Sequence, residues 1–127
     1  MTCIVFDAGA LVALERGDRA MWTALKIAGE HGHDVLVPTT TVAQTWRRGA
    51  LQARLAMALE CCVLASFDEH VREIGELCGR TGTSDICDAH VAIVAARLGD
   101  VLYTSDPDDM ERLLTACRVP RVRILRC

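Results

Sequence analysis

Short apolar runs alternate with helical patterns along this chain, and that alternation restricts its fold more than any other feature. Each run is rich in β-branched and aliphatic residues, as strands are. The runs lie at Thr2 to Phe6, Asp34 to Val37, Cys61 to Ala65, Val101 to Thr104 and Val122 to Leu125. Strands that alternate with helices are typical of a parallel sheet covered on both faces. The pattern therefore predicts a three-layer α/β fold with a central sheet of about five parallel strands.

The segments between these runs carry apolar residues at helical spacing, and turn residues mark their ends. Thr39, Thr40 and Thr41 suit the cap of one helix. Pro120 precedes the last strand, where Arg121 and Arg123 alternate as the charged residues of a sheet edge do. Ile86 belongs to the apolar stripe of the longest helix. The expected helices are Ala8 to Leu14, Arg19 to Glu30, Val42 to Arg48, Leu51 to Leu59, Asp68 to Cys78, Asp85 to Leu98 and Pro107 to Cys117.

Length and composition favour one domain with a well-filled core. The chain has 127 residues, of which 51% are hydrophobic, and we expect a single domain over residues 1–127. Its apolar runs are shorter than the roughly 18 residues of a membrane helix, and its start lacks the order of a signal peptide. Seven cysteines without a C-x-x-C pair favour free thiols in a reducing compartment. We therefore expect a cytoplasmic protein that does not bind membranes.

Acidic residues follow two of the strand-like runs, and two more begin a helix. Asp7 follows the first run, Asp106 follows the fourth, and Asp85 and Asp88 lie one helical turn apart. Ligands bind at the carboxyl ends of the strands in open parallel sheets, so we expect Asp7, Asp88 and Asp106 to converge on one rim. Each acid alone also suits a helix cap. Together, carboxylates repel unless a proton or cation neutralises them, and oxygen ligands without clustered His or Cys favour Mg²⁺ or Mn²⁺.

The charge distribution allows an acidic pocket on a mildly basic body. The net charge of −3 argues against a general nucleic-acid coat. Of 17 acidic residues, six lie near helix starts, which leaves 11 against 14 basic ones. No nucleophile elbow, P-loop or dinucleotide-binding motif occurs in the sequence, which disfavours acyl and hydride transfer. A divalent ion held by carboxylates fits phosphodiester hydrolysis instead, because the ion activates water and stabilises the leaving oxygen. The six acids are Asp7, Asp85, Asp88, Asp106, Asp108 and Asp109.

Four segments carry a resemblance to a known family. They are IVFDAGALVAL at 4–14, VPTTTVAQTWRRG at 37–49, TGTSDICDAHVAIVA at 81–95 and VLYTSDPDDM at 101–110. Together and in this order they resemble PIN-domain ribonucleases, specifically the VapC-type toxins of bacterial toxin–antitoxin pairs, over nearly the whole chain. The resemblance implies a PIN-like fold and a cytoplasmic endoribonuclease that depends on Mg²⁺ or Mn²⁺. It also implies a VapB-type antitoxin that inhibits the enzyme, and assembly as a homodimer or as a hetero-oligomer with that antitoxin.

The resemblance assigns site residues by position. Asp7, Asp88 and Asp106 match the metal-binding acids of the family, and Asp85 and Asp108 are candidates for additional ligands. The chain departs from the family at Gln44, where a glutamate is usual. An amide oxygen can still bind a metal ion, but it brings no charge.

Four further residues have both a functional and an ordinary interpretation. Arg47 and Arg48 are candidates for RNA phosphate contacts, or they form a solvated helix end. Thr104 and Ser105 are candidates for hydrogen bonds to the carboxylates or to a phosphate, or they are a strand end and a turn.

Two other functions fit parts of the sequence. A receiver-like phosphoacceptor domain also has an Asp at the end of its first strand, but such domains have a late lysine, whereas the only lysine here is Lys26. A catalytically silent PIN-domain binding module is favoured only by Gln44.

Overall fold

The structure, a computed structural model, describes residues 2–118 and 121–127, and in them five strands lie between two layers of helices. The strands are β1 (Cys3–Phe6), β2 (Asp34–Pro38), β3 (Val63–Ala65), β4 (Val101–Thr104) and β5 (Arg123–Arg126). The helices are α1 (Ala8–Glu15), α2 (Arg19–Glu30), α3 (Thr39–Thr45), α4 (Ala53–Glu60), α5 (Val71–Thr81), α6 (Ile86–Leu98) and α7 (Pro107–Ala116), with short 3₁₀ turns at Gly49–Leu51 and Phe67–His70. The predicted three-layer α/β fold is confirmed.

The strands form one parallel sheet in the order β3-β2-β1-β4-β5. Val5 of β1 lies opposite Leu36 of β2 and Leu102 of β4. The order reverses between β1 and β4, and the crevice at the carboxyl ends of such a strand pair is where open α/β sheets bind ligands. Receiver domains have the strand order 2-1-3-4-5. The observed order therefore excludes the receiver-like alternative.

Two hydrophobic cores lie on the two faces of this sheet. Val5 and Leu102 pack with α5, α6 and α7, whereas Phe6 and Val37 pack with α1, α2 and α4. Neighbouring strand residues contribute to opposite cores because side chains alternate along a strand. Helix α1 follows β1 onto one face and α7 follows β4 onto the other, so the starts of these two helices flank the crevice.

The bounds of α3 and its cap differ from the prediction. The three threonines form the first turn of α3 rather than its cap, and Pro38 is an N-cap without a side-chain hydrogen bond. The Thr39 hydroxyl instead accepts a hydrogen bond from the Phe67 N–H at 3.0 Å, and Thr41 is fully buried. The helix ends at Thr45. The cap prediction is wrong because the Thr39 and Thr40 hydroxyls contact Phe67 and His90 instead.

Other predicted bounds move by a few residues. Strand β3 begins at Val63 because Cys61 and Cys62 close the last turn of α4 through their N–H groups. Helix α4 begins at Ala53. Ile86 is 49% exposed rather than part of the apolar stripe, which begins in the next turn at Ala89.

The last strand begins at Arg123 and forms an edge of the sheet as predicted, and Pro120 lies outside the described residues. All seven cysteines are free thiols. Among the described residues, no helix combines the length and apolar character that crossing a bilayer requires.

A close approach between the start of α1 and the β4–α7 turn fixes the shape of the crevice. A Cβ placed on Gly9 would lie 2.2 Å from Ser105 Oγ and 2.4 Å from Ser105 Cβ. Both distances are far inside van der Waals contact, so any side chain at position 9 would push the two segments apart. Glycine is therefore required here by packing.

We predict that Gly9→Ala destabilises the protein, by about 1 to 3 kcal/mol as overpacked sites typically do. The second substitution Ser105→Gly removes both clashing atoms and should restore most of the lost stability. Chemical denaturation of the two single variants and the double variant measures this coupling. Equal destabilisation by Gly9→Ala in the presence and absence of Ser105→Gly would contradict the close approach.

Candidate functional site

Asp7 occupies the first position after β1 and is 5% exposed. It is the N-cap of α1, where Oδ1 accepts a hydrogen bond from the Ala10 N–H at 3.0 Å. Its own N–H donates to the Tyr103 carbonyl at 3.2 Å, which joins it to β4. Burial raises the pKa of Asp7, and hydrogen bonds from the Thr104 hydroxyl and nearby backbone N–H groups lower it in part. The buried carboxylate is thus supported by both flanks of the crevice.

Thr104 links Asp7 to the start of α7. Thr104 is fully buried, and its hydroxyl hydrogen bonds to the Asp7 carboxylate and accepts from the Asp106 N–H at 3.0 Å. The Ser105 N–H also donates to Asp7. The Thr104 hydroxyl and the Ser105 backbone N–H thus both lie at the Asp7 carboxylate. A role in binding substrate stays a prediction.

Asp85 and Asp88 lie together at the start of α6. Asp85 is the N-cap, and its Oδ1 accepts from the Asp88 N–H at 3.0 Å. The pKa of Asp88 is raised to about 7 by burial, by Asp85, and by the charges of Asp7 and Asp109. Acids at the starts of three helices, Asp7 at α1, Asp88 at α6 and Asp109 at α7, therefore interact electrostatically. Asp88 is therefore the carboxyl group whose ionisation the surrounding acids oppose most directly.

The start of α7 repeats the arrangement of α6. Asp106 is the N-cap, and its Oδ1 accepts from the Asp109 N–H at 3.3 Å. In both helices the third residue after the cap is an acid that is partly buried, whereas Asp106 and Asp108 are exposed. Asp109 contributes to the raised pKa of Asp88, and sequence reasoning treated it only as part of a capping pattern. The signal was the shared D-x-x-D spacing of Asp85 with Asp88 and Asp106 with Asp109. The ligand roles of Asp106, Asp85 and Asp108 stay predictions.

The carboxylate oxygens of the crevice suit a hard divalent cation, although the described residues do not form a complete metal-binding cluster. Within residues 2–118 and 121–127, no three His, Cys, Asp or Glu side chains come close enough together to hold a metal ion. The carboxylates of Asp7, Asp88 and Asp109 nevertheless interact electrostatically, and a divalent cation relieves such repulsion. Their oxygen atoms match the preference of Mg²⁺ and Mn²⁺. The residues therefore fit the predicted ion by chemistry, with side-chain movement needed to complete its coordination.

Gln44 lies exposed in the last turn of α3. One turn earlier, the Thr40 hydroxyl hydrogen bonds to His90 Nδ1 at 2.7 Å, and the Thr40 carbonyl accepts from the Cys87 thiol at 3.8 Å. These two contacts join α3 to residues on either side of Asp88 in the first turns of α6. Residues four apart share a helical face, so Gln44 follows Thr40 on the side of α3 that faces α6. Its metal-ligand role stays a prediction.

Arg47 and Arg48 lie in the loop after α3 rather than at a helix end. Their two N–H groups donate to the Gln52 Oε1 atom at 2.8 and 3.0 Å. Gln52 is 8% exposed, and its Nε2 donates to the Thr45 carbonyl at 2.9 Å and to the Glu15 carboxylate. The buried amide thereby uses both its oxygen and its nitrogen to fix the loop on α1. Sequence analysis did not identify Gln52, because its partners are distant in sequence or lie in an irregular loop. RNA contact by Arg47 and Arg48 stays a prediction.

Comparison with solved structures shows a similar fold. A chain of the crystal structure of VapBC2 from Rickettsia felis, bound to a DNA fragment from their promoter, has the same fold with a TM-score of 0.70. The superposition covers 99% of both chains at 14% sequence identity. No protein-family model matches the sequence, and no curated protein matches it either. The PIN-like fold that the sequence resemblance implies is therefore confirmed, and at this identity the likeness concerns the fold.

We predict that the crowded acids make the metal-free protein less stable as pH rises. The pKa of Asp88 in the folded state, about 7, exceeds its ordinary value of 3.8, so between these values the folded state binds more protons than the unfolded state. Stability is then highest at low pH within this window and falls as pH rises through 7. Asp88→Asn should remove much of this dependence and should be more stable than wild type above neutrality.

Thermal unfolding in EDTA between about pH 5 and pH 8 measures the effect. Asp68→Asn is the matched control, because Asp68 is an exposed acid outside the crevice. If the wild-type and Asp88→Asn proteins show the same dependence of stability on pH, the neighbouring acids do not repel the charge of Asp88.

Proposed function

We propose that this chain is a divalent-metal-dependent endoribonuclease of the PIN-domain family and the VapC-type toxin of a cytoplasmic toxin–antitoxin pair. The observation that carries the proposal is the placement of Asp7 directly after β1 and of Asp106 after β4, the two strands between which the order reverses. The charges of Asp7 and Asp109 also raise the pKa of Asp88. The fold shared with a chain of the VapBC2 structure and the four resembling segments support it. The site therefore has the acid-lined crevice that metal-assisted phosphodiester hydrolysis requires.

Each residue of the crevice has a distinct role in this proposal. Asp7, Asp88 and Asp106 would hold Mg²⁺ or Mn²⁺, and the position of Asp109 adds it to this set. The ion supplies an activated water and a positive charge for the leaving oxygen. The Thr104 hydroxyl orients the Asp7 carboxylate. Asp85 keeps the start of α6 in place as its cap, and Gln44, Asp108, Arg47, Arg48 and Ser105 are candidates for further contacts to metal or RNA.

A catalytically silent binding module is the second candidate. Gln44 favours it, because a carboxylate usual in the family is missing, and so does the lack of a gathered metal site among the described residues. Such a module would retain the fold and the partner but would cut no RNA. The same experiment distinguishes the two functions.

We predict that the purified chain cleaves RNA with Mg²⁺ or Mn²⁺ and not with EDTA. Asp7→Asn, Asp88→Asn and Asp106→Asn should each reduce the rate by at least about 100-fold, more than loss of a residue that only supports a metal ligand usually costs. Asp109→Asn should reduce it more than Asp108→Asn, because Asp109 and not Asp108 acts on Asp88. Time courses on total RNA measure these rates.

The cleavage assay has its own control and its own contrary outcome. Asp68→Asn should cleave as wild type does, and circular dichroism should show that every variant is folded. Metal-dependent cleavage by the Asp88→Asn protein at the wild-type rate would contradict the assignment of the crevice as the active site. A folded wild-type protein that cuts no RNA with either metal would favour the silent module.

A groove beside α2 suits the proposed antitoxin. It has a volume of about 540 Å³, which is within the range of binding sites. Trp22, Leu25 and Val35 give it an apolar floor, and Arg19 and Lys26 give it charged walls. Amphipathic segments bind such grooves with their apolar face. We expect the antitoxin to occupy it, in a hetero-oligomer or on a toxin homodimer.

We predict that Gly29→Trp prevents antitoxin binding without affecting the fold. Gly29 lines the groove, and a Cβ at this position would meet no atom within 4 Å, so the new ring fills space that the partner needs. Gly75→Trp on α5 is the matched control, since its Cβ would also meet no atom within 4 Å. Co-expression with the VapB-type antitoxin that the proposed function requires, which we expect to be encoded beside this chain, followed by co-purification, measures binding. Equal binding by the Gly29→Trp and Gly75→Trp proteins would place the antitoxin elsewhere.

A further inference from the structure

A second cavity begins beside the acidic crevice and follows α1 away from it. Its volume is about 610 Å³. At one end lie Gly9 and Ser105, which adjoin Asp7, and at the other end lie Arg16, Gly17 and Asp18. The helical wall consists of residues at i, i+3, i+4 and i+7 spacing, which share one face of α1. These residues are Gly9, Val12, Ala13 and Arg16.

Two arginines lie near the far end of this cavity. Arg16 lines the cavity directly. Arg54 of α4 reaches across to the end of α1, where its Nη1 donates to the Glu15 carbonyl at 3.2 Å. The same nitrogen lies 2.8 Å from the position that a Cβ on Gly17 would take. Gly17 has a φ of +77° and no side chain, so it leaves the Arg54 guanidinium room beside the cavity.

The acids near these arginines have other partners. The Glu15 carboxylate accepts a hydrogen bond from Gln52. The Asp18 carboxylate caps α2 and accepts from the Met21 N–H at 2.9 Å. The ion pairs among the described residues involve Glu73 and Asp109, neither of which lines this cavity. Neither Arg16 nor Arg54 forms an ion pair with another residue in the described part of the chain, so their charges are available to a ligand.

We propose that this cavity binds single-stranded RNA beside the scissile bond, with Arg16 and Arg54 contacting a backbone phosphate. The inference rests on the proposed function and extends it to the path of the substrate. Gly9 and Arg16 are seven residues apart on α1, or about 10 Å at 1.5 Å per residue, so the phosphate at the arginines is not the one at the acids. The guanidinium group is the side chain best suited to phosphate oxygens.

The wall between the two ends suits the rest of a nucleotide. Val12 and Ala13 present a small apolar surface to a base or ribose. Cys127 closes the opposite side, and burial together with Asp7 raises the pKa of its thiol to about 11. The thiol is therefore neutral at physiological pH and does not repel phosphate. The cavity thus leads from the acids that would hold a metal-bound phosphate to an end where the two arginines, with Asp18 beside them, would bind a second phosphate.

The test measures RNA binding without cleavage. The probe is a fluorescein-labelled, mixed-sequence single-stranded RNA 12-mer, and binding to the Asp88→Asn protein in Mg²⁺ is followed by anisotropy at several salt concentrations. Adding Arg16→Gln and Arg54→Gln should weaken binding at least tenfold. The slope of log affinity against log salt should fall in magnitude by about 0.7, because the two arginines contact one phosphate and each neutralised phosphate of a single strand contributes about 0.7.

The controls separate this effect from general loss of charge and from misfolding. Arg72→Gln with Arg123→Gln removes the same charge from α5 and from the amino end of β5, and it should leave the affinity within about twofold, since exposed charges beyond a Debye length are largely screened. Arg16→Glu alone leaves the contacts of Arg54 in place and should weaken binding even if the double variant is unstable. A poly-glutamate peptide that displaces the RNA at equal concentration would overturn the assignment to RNA.

The outcomes for the cavity and for the proposed function are distinct. Unchanged affinity and salt slope in the Arg16 and Arg54 variants would overturn the cavity as an RNA site, whether or not the wild-type protein cleaves. A wild-type protein that cuts no RNA, but whose probe binding depends on both arginines, would support the cavity and refute the nuclease. Cleavage by wild type with a raised KM and an unchanged kcat in Arg16→Gln would support both.

Discussion

The buried carboxylate of Asp7 is the group on which the rest of the crevice depends. A buried carboxylate is tolerated only where hydrogen bonds replace the water it has lost, and here the donors come from α1 and from the turn after β4. The Thr104 hydroxyl and the Ser105 N–H therefore join two elements that lie on opposite faces of the sheet. Gly9 allows that junction, because a side chain there would occupy the space of Ser105. The hydrogen bonds that satisfy the Asp7 carboxylate thus fix the positions of α1 and of the turn after β4 relative to each other.

The acids around Asp7 form two groups, helix caps and residues one turn after a cap. Asp85 and Asp106 accept backbone hydrogen bonds at the starts of α6 and α7, which satisfies N–H groups that would otherwise lack partners. Asp88 and Asp109 come one turn later, and their charges oppose each other. Such repulsion does not stabilise the fold, and in the proposed function a cation relieves it. A divalent cation or the basic side chain of an inhibitory partner would supply the positive charge.

The region from α3 to β3 shows why some sequence predictions were wrong. Its threonines have the composition of a helix cap, but Thr39 and Thr40 make contacts with Phe67 and His90 that are far apart in sequence. Local propensity is a weak signal wherever such tertiary contacts compete with it. The Gln52 amide also depends on a contact distant in sequence, because it fixes the loop after α3 by hydrogen bonding to the side chain of Glu15. These contacts place Gln44 and the loop arginines relative to α1 and α6.

The sequence by itself determined the order of strands and helices, the parallel α/β class and the acids at the ends of β1 and β4. Those features follow from local periodicity and from the position of Asp7 and Asp106 after strand-like runs, which neighbouring residues suffice to specify. Only the tertiary structure decided the strand order, the coupling of Asp109 to Asp88 and the approach of Arg54 to the end of α1. Each of these depends on packing between segments distant in the chain. Hydrophobic periodicity specifies which face of an element is buried, but not which neighbour covers it.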